Sequence, residues 1–277
     1  MYKSNQKRSF ASVALAAIVA GQIGLGAGGA IAQSTEAAQE INRDQASVTY
    51  GPYARFEIGR SDYSADNGYW HPPGFPKDPQ VNFDLSAKKT GFGALAVGYD
   101  WQNGFRGDVS LSVSGSANVA GPCSSASNGS PCDDHADITD ASIRTAAVMG
   151  NVFYSPLEQA GNDSRFQPFL VAGLGLARNK VGQWTRFNAA ATTPTRTYQG
   201  NASVDMAWSV GAGAAYQLTR PGEWPVMLEA SWRYYDYGTA EGGAQPIGGG
   251  SQPQKPLTFD NTAHVIAIGI RVPLQRY

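Results

Sequence analysis

The chain has 277 residues, of which 42% are hydrophobic, 16% are charged and 33 are glycine. This charge content is low for a soluble domain. The formal net charge is −1, so the chain has no basic field to attract nucleic acid, and we expect no nucleic-acid partner.

The first 32 residues are typical of a secretory signal peptide. Lys3, Lys7 and Arg8 precede the apolar run FASVALAAIVA, and an Ala-x-Ala pattern ends at Ala32. The alternative, a membrane-spanning helix, needs about 20 apolar residues, roughly twice this run. We therefore predict a removed signal peptide (residues 1–32), a short periplasmic segment (33–52) and one folded domain (53–277).

Segments of alternating polarity follow along the mature chain. Residues 202–218, for example, read ASVDMAWSVGAGAAYQL, with large apolar side chains on one face and small or charged ones on the other. Such alternation predicts strands. The eight segments are residues 53–63, 90–101, 105–115, 138–154, 166–177, 202–218, 226–238 and 264–274. In the fourth, the polar positions change parity between Arg144 and Asn151, which requires either a bulge or a solvated upper half.

The connections between these segments alternate in length. Residues 64–89, 116–137, 181–202 and 239–260 form long polar connections, whereas 102–104, 155–165 and 219–224 are shorter. Short periplasmic turns and long extracellular loops are typical of outer-membrane barrels. The sequence therefore predicts an all-β fold, an eight-stranded antiparallel up-and-down transmembrane β-barrel, with both chain ends on the periplasmic side.

Charged residues fall on the face that this arrangement turns inward. Isolated buried charges are prohibitive, but paired ones are tolerated, so we predict a salt-bridge network that fills the lumen. The alternative is a charged constriction that selects ions. A secreted soluble barrel or sandwich, with the two faces reversed, is a further alternative. The predicted network comprises Arg55, Glu57, Asp100, Arg106, Asp108, Asp205, Glu229, Arg233 and Arg271.

Aromatic residues cluster at the ends of the segments, as in the interfacial girdles of membrane barrels. One group lies near the short turns and comprises Tyr99, Trp101, Phe105, Tyr154, Tyr216 and Trp224. The other lies near a long connection and comprises Trp232, Tyr234 and Tyr237.

Cys123 and Cys132 are the two cysteines of the chain. In an exported protein such a pair within a Gly-, Pro- and Ser-rich stretch predicts a disulfide that closes a small loop. A zinc site with His135 is the alternative, although it lacks a clear fourth ligand.

The sequence contains no recognisable catalytic or cofactor signature. His71, His135 and His264 have no partner at a spacing typical of a hydrolase. His264 is the best candidate, because it lies where the last strand meets the headgroups, but an interfacial aromatic role is favoured. Another group, Asp133, Asp134 and Asp137, lacks the spacing of a calcium loop. We expect no enzyme activity, no cofactor and no bound metal.

Five stretches within these segments carry a family resemblance, namely NVFY (151–154), FQPFLVAGLGLA (166–177), AWSVGAGAAYQL (207–218), LEASWRYYDYG (228–238) and AIGIRVPL (267–274). They resemble the strands of opacity-type, OmpA-like eight-stranded outer-membrane proteins of Gram-negative bacteria. The resemblance implies a location in the cell outer membrane. It also implies contact with outer-membrane lipid and lipopolysaccharide, and a role as a surface antigen, adhesin, envelope-stabilising protein or small porin.

From these features we expect a non-enzymatic surface protein with four long extracellular loops that bind an extracellular or envelope protein. A narrow small-solute channel is the alternative function. An enzyme that modifies lipid A is a further one.

Overall fold

The structure is a computed structural model that describes residues 51–132, 138–162, 164–187, 195–220 and 223–275. The predicted signal peptide lies outside the described residues, as do all but the last two residues of the predicted periplasmic segment. Among the described residues, no helix is long and apolar enough to cross a membrane.

The described residues form antiparallel β-structure and one short helix, α1 (Pro156–Gln159). The strands are numbered here in chain order. They are β1 (Pro52–His71), β2 (Val81–Phe83), β3 (Ser86–Ala87), β4 (Thr90–Asp100), β5 (Phe105–Ser114), β6 (Ala117–Ala126), β7 (Ile138–Tyr154), β8 (Phe166–Val181), β9 (Trp184–Phe187), β10 (Arg196–Tyr198), β11 (Asn201–Gln217), β12 (Met227–Glu241), β13 (Pro246–Ile247) and β14 (Lys255–Pro273).

Eight of these strands close into a ring in the order β1, β4, β5, β7, β8, β11, β12 and β14, and β14 pairs back onto β1. Stepping from Ala54 through the paired residues around the ring returns to Ser64, ten residues further along β1. This offset shows that the strands are tilted, as a closed barrel requires. The predicted eight-stranded antiparallel barrel is confirmed.

The fourth predicted segment, β7, pairs in unbroken register with both neighbouring barrel strands. Asn151 faces the lumen and is buried, whereas Arg144 faces outward and is exposed. The change of parity therefore reflects a solvated upper half of the strand, and the alternative of a bulge is wrong.

The long connections were predicted as polar loops, and this prediction is wrong for about half of their length, which forms strands. Strand β1 is 20 residues long and β14 is 19, whereas a tilted strand crosses hydrocarbon in about 9–11 residues. The predicted loop 116–137 contains β6, which pairs with β7 and β2. The predicted loop 181–202 contains β9 and β10. The barrel wall thus continues well beyond the apolar segments.

The two faces of the barrel wall differ sharply in polarity. Large apolar side chains on the outer face are about half exposed, from 39% for Phe105 to 71% for Met206. In contrast, inward ions such as Glu229 (1%) and Arg55 (2%) are inaccessible to solvent. A soluble barrel would have these sides reversed, so that alternative is wrong. The outer belt is suited to hydrocarbon, where a closed ring leaves no unpaired strand edge.

Candidate functional site: the filled lumen and the outer wall

The lower part of the lumen holds two charge-balanced groups of four ions. The first, named here the lower quartet, comprises Asp100, Arg106, Glu229 and Arg271. Glu229 Oε1 lies 2.8 Å from Nε of Arg271 and 3.0 Å from Nη2 of Arg106. Arg271 also reaches Asp100 Oδ2 with Nη1, at 3.2 Å. Four strands therefore contribute one ion each to a neutral cluster.

The second group, the upper quartet, comprises Arg55, Glu57, Asp108 and Arg233. Arg55 donates to Asp108 Oδ2 from Nη2 at 2.8 Å and from Nε at 3.0 Å, and its Nη1 forms an ion pair with Glu57. Arg233 Nη2 lies 3.1 Å from Glu57 Oε1. Asn151 Nδ2 donates to the remaining Asp108 oxygen at 2.7 Å. Two guanidiniums again balance two carboxylates.

Phe153 contacts ions of both quartets. The guanidinium carbons of Arg106, Arg55 and Arg233 lie 4.4, 5.2 and 5.4 Å from its ring centre.

Small inward residues provide the room that these long side chains need. A Cβ at Gly98 would lie 2.6 Å from both the ring of Tyr53 and the Cβ of Asp108, so only glycine fits there. The alternation of tiny and charged residues thus fills a narrow lumen.

Asp205 was predicted to join this network, and that prediction is wrong. Its Oδ2 accepts a hydrogen bond from the Thr239 amide at 3.0 Å, and its Oδ1 accepts one from the Met206 amide at 2.8 Å. The register of β12 shifts between Asp236 and Thr239, and Gly238 adopts a φ of 71° there. Asp205 therefore satisfies a backbone amide freed by a bulge. Without it, the four arginines of the ionic network are balanced by four carboxylates.

A network of uncharged polar side chains lies above the quartets. Asn261 Nδ2 donates to Thr145 Oγ1 at 3.0 Å and to Asn179 Oδ1 at 2.9 Å. Asn179 Nδ2 donates in turn to the Tyr237 carbonyl at 2.8 Å. The three polar residues come from β14, β7 and β8, so this layer connects distant parts of the wall.

An aromatic cluster, named here the aromatic cap, fills the barrel beyond the apolar belt. It comprises Trp70, Trp184 and Tyr198, all of them buried. Trp184 stacks on Tyr198 with 4.2 Å between ring centres, and Trp70 packs edge-on against Trp184 at 6.0 Å. The Arg186 guanidinium lies 3.9 Å from the Trp70 ring centre. The described part of the lumen is therefore occupied from ions at one end to aromatic rings at the other.

Two aromatic girdles border the apolar belt on the outer wall. At the short turns, Tyr99 packs against Trp101, and Phe105 packs against Tyr154. At the opposite border, Trp232 packs against His264, and Trp208 packs against Tyr234. Tyr237 was predicted to join this second girdle but is buried in the lumen, stacked on Tyr235. Tyr237 lies two residues after Tyr235 on β12, so both side chains are on the inward face.

Cys123 and Cys132 form a disulfide with Cα atoms 5.8 Å apart, so they are not zinc ligands. His135, Asp133, Asp134 and Asp137 lie outside the described residues. Among the described residues, no cluster of three or more His, Cys, Asp or Glu side chains could hold a metal ion.

The two described histidines both have aromatic neighbours. His71 stacks on Phe75 at 4.0 Å and shares a 3.0 Å hydrogen bond with Gln80. His264 packs on Trp232, with 5.7 Å between ring centres. Both histidines therefore pack as polar aromatic side chains.

Sequence reasoning missed the aromatic cap and the Thr145–Asn179–Asn261 network. The cap residues lay in stretches predicted as loops, although YWH (69–71) and WTRF (184–187) are rich in the aromatic and β-branched residues that favour strands. That local composition was the available signal. The polar network carries no sequence signal, because its members come from three separate strands.

No family model and no curated protein matches the chain. Solved outer-membrane proteins resemble it in structure. Neisserial surface protein A is 16% identical, with a TM-score of 0.42 over 81% of this chain and 97% of its own. OprG from Pseudomonas aeruginosa is 15% identical, with a TM-score of 0.40 over 83% and 99%. AlkL, studied in lipid bilayers, is 14% identical, with a TM-score of 0.38 over 83% and 93%. The fold is defined here by the closed ring of strand pairs.

Proposed function

We propose that this protein is a non-enzymatic surface protein of the bacterial outer membrane that presents ordered extracellular β-structure for recognition or envelope contact. The observation that carries the proposal is the continuation of paired strands above the apolar belt. Beyond Ile58, the outward positions of β1 are Arg60, Asp62, Ser64 and Asp66, which suit water and not hydrocarbon. The partner in this proposal is an extracellular or envelope protein that binds the far ends of these strands.

The part of the barrel above the apolar belt is rigid, which supports a role in presenting a binding surface. The Cys123–Cys132 disulfide, the aromatic cap and the pairing of β6 with β7 hold the upper part in one conformation. Binding surfaces on a rigid scaffold lose little conformational entropy when a partner docks. A disulfide also fits an exported protein.

The filled lumen favours this proposal over a narrow channel. Ions that cross an eight-stranded barrel would have to displace two neutral quartets and the aromatic cap. Purified protein in planar bilayers should therefore show no discrete conductance. Deleting the gene should also leave the mass of lipid A unchanged, and a changed mass would favour the enzyme alternative.

Epitope insertion tests the location and the orientation together. A tag inserted at Lys77, between β1 and β2, should bind antibody on intact cells. The same tag at Asn103, in the short turn between β4 and β5, should bind only after the outer membrane is permeabilised. Equal accessibility at both sites would contradict the proposal.

Replacing residues 73–79 with a Gly-Ser linker should weaken the binding of intact cells to a panel of purified extracellular proteins.

A further inference from the structure

Three exposed cations lie together on the outer wall, immediately above the apolar belt. Arg144 on β7 pairs directly across the sheet with Lys180 on β8, and Arg178 lies two residues before Lys180 on the same outward face. All three side chains are exposed. Residues directly or diagonally opposite on a sheet lie within about 4.5–8 Å of one another, so the three charges share one site. We name this group the basic patch.

No carboxylate occupies the outward positions that surround the basic patch in the described wall. These positions are Ser142, Ala146, Leu176, Ala202 and Val204. The nearest acid on β11, Asp205, is held by backbone amides. Like charges directly opposite on a sheet destabilise it, so an anion bound from outside the chain would relieve this repulsion.

The opposite wall of the barrel provides an internal comparison. There Lys89 lies 2.7 Å from Asp62, so its charge is compensated within the chain. Lys88 and Arg60 are exposed beside this pair. Among the described residues, the basic patch thus differs from this opposite wall, where one of the three cations is paired with a carboxylate.

The surface below the basic patch is among the most exposed apolar areas of the belt. Leu174 is 67% exposed, Met206 71%, Val204 64% and Leu176 56%. A ligand at this place therefore meets charge above and hydrocarbon below. A lipid with a phosphorylated headgroup has this combination, and guanidinium groups bind phosphate in two-pronged geometry.

We propose that the basic patch binds the phosphate groups of one outer-leaflet lipopolysaccharide molecule, with its acyl chains against Leu174, Leu176 and Met206. This inference rests on the proposed outer-membrane location. It assigns a specific binding site on one wall of the barrel, separate from the extracellular ends of the strands.

Native mass spectrometry of the detergent-solubilised full chain tests the site, with bisphosphorylated lipid A as the probe. The variant R144Q/R178Q/K180Q should bind this probe on the order of 100-fold more weakly, since each basic residue near a lipid surface contributes roughly fivefold. The control variant R60Q/K88Q/K89Q removes the same charge from the opposite wall and should bind as the wild type does. Dephosphorylated lipid A should bind the wild type no more tightly than it binds the patch variant.

Full binding by the patch variant, or an equal loss in the control, would overturn the proposal. So would undiminished binding of dephosphorylated lipid A. Heat-dependent gel mobility shows whether each variant is folded. If the patch variant loses its fold, the single variant R178Q should bind bisphosphorylated lipid A roughly fivefold more weakly than the wild type, and unchanged binding by R178Q would overturn the proposal. Failure of the outer-membrane location would appear separately, as a wild-type barrel absent from the outer-membrane fraction.

Discussion

Replacing Glu229 by glutamine should destabilise the barrel far more than the loss of one hydrogen bond would suggest. The substitution keeps the size of the side chain but removes the charge that lies between Arg106 and Arg271. Arg271 would keep Asp100 as a partner, at 3.2 Å. Arg106, in contrast, would be left against the rings of Phe153 and Phe169.

The size of the effect follows from burial. Glu229 is 1% exposed and Arg106 is 3% exposed, so water cannot replace the lost charge. Breaking a buried pair by removing one partner costs about 3–5 kcal/mol, whereas an exposed pair is worth about 0–1 kcal/mol. The half-exposed Asp62–Lys89 pair is therefore a suitable control, and Asp62→Asn should change the free energy of unfolding by less than about 1 kcal/mol.

A second substitution makes the prediction sharper, because it should partly repair the first. In the double variant R106M/E229Q the lower quartet retains one carboxylate and one guanidinium, Asp100 and Arg271, and is neutral again. The double variant should therefore be more stable than Glu229→Gln alone. Coupled sites of this kind commonly show interaction energies of about 0.5–3 kcal/mol.

The assay is urea-induced unfolding in lipid vesicles, followed by tryptophan fluorescence. Each variant yields a free energy of unfolding from the midpoint and the slope. Two results would contradict the expected role of Glu229. One is Glu229→Gln within about 1 kcal/mol of the wild type, and the other is a double variant less stable than the single one.

Three further predictions concern the belt, the cap and the periplasmic turn. Leu111→Arg, in the middle of the belt, should destabilise the inserted barrel by about 2–4 kcal/mol, whereas Leu218→Arg, at a short turn, should destabilise it by about 0–1 kcal/mol. Equal losses of unfolding free energy in vesicles would contradict the proposed position of the bilayer. Trp184→Ala should speed limited proteolysis of the extracellular strands without creating conductance in planar bilayers, because the quartets remain. Burial, with a smaller effect of Asp100, raises the pKa of Glu158 above its ordinary value near 4.5, so the folded state loses stability as the pH rises through that region. In unfolding titrations, the stability of Glu158→Gln relative to the wild type should therefore increase as the pH is raised from 4 to 7.

The sequence predicted the faces of the barrel strands well, because parity alone decides them. Leu111 and Ser112 are neighbours, and only the first can face hydrocarbon. The same reasoning identified eight of the nine ions that we proposed for the lumen network. It could not give their pairing, because Glu57 and Arg233 are 176 residues apart in the chain.

Asp205 shows where parity reasoning fails. A bulge in the neighbouring strand β12 frees backbone amides, and the carboxylate binds the amide of Thr239 in place of an arginine. A bulge leaves little trace in the sequence beyond a glycine such as Gly238, and the chain has 33 glycines. The ionic partners of a lumen residue therefore depend on geometry that alternation does not encode.

The parts of the strands above the apolar belt were missed for a different reason. Polar and apolar residues still alternate there, but the polar ones now occupy the outward face. On β14, Ile266 and Ile268 face outward below the border, whereas His264, Thr262 and Asp260 occupy the same face above it. The inward face changes in the opposite sense, since Leu257, Phe259 and Val265 are buried apolar residues of the upper core. A search for outward apolar residues therefore stops at the border.

This inversion locates the change of solvent around the barrel. Below it the wall is apolar outside and ionic inside. Above it the wall is polar outside, and the inside holds the uncharged Thr145–Asn179–Asn261 network together with the apolar and aromatic residues of the upper core. On β7 the change falls between Val148 and Arg144, and on β8 it falls between Leu176 and Arg178. The basic patch is thus at the border where lipid phosphates meet water, at a height fixed by the same alternation that builds the barrel.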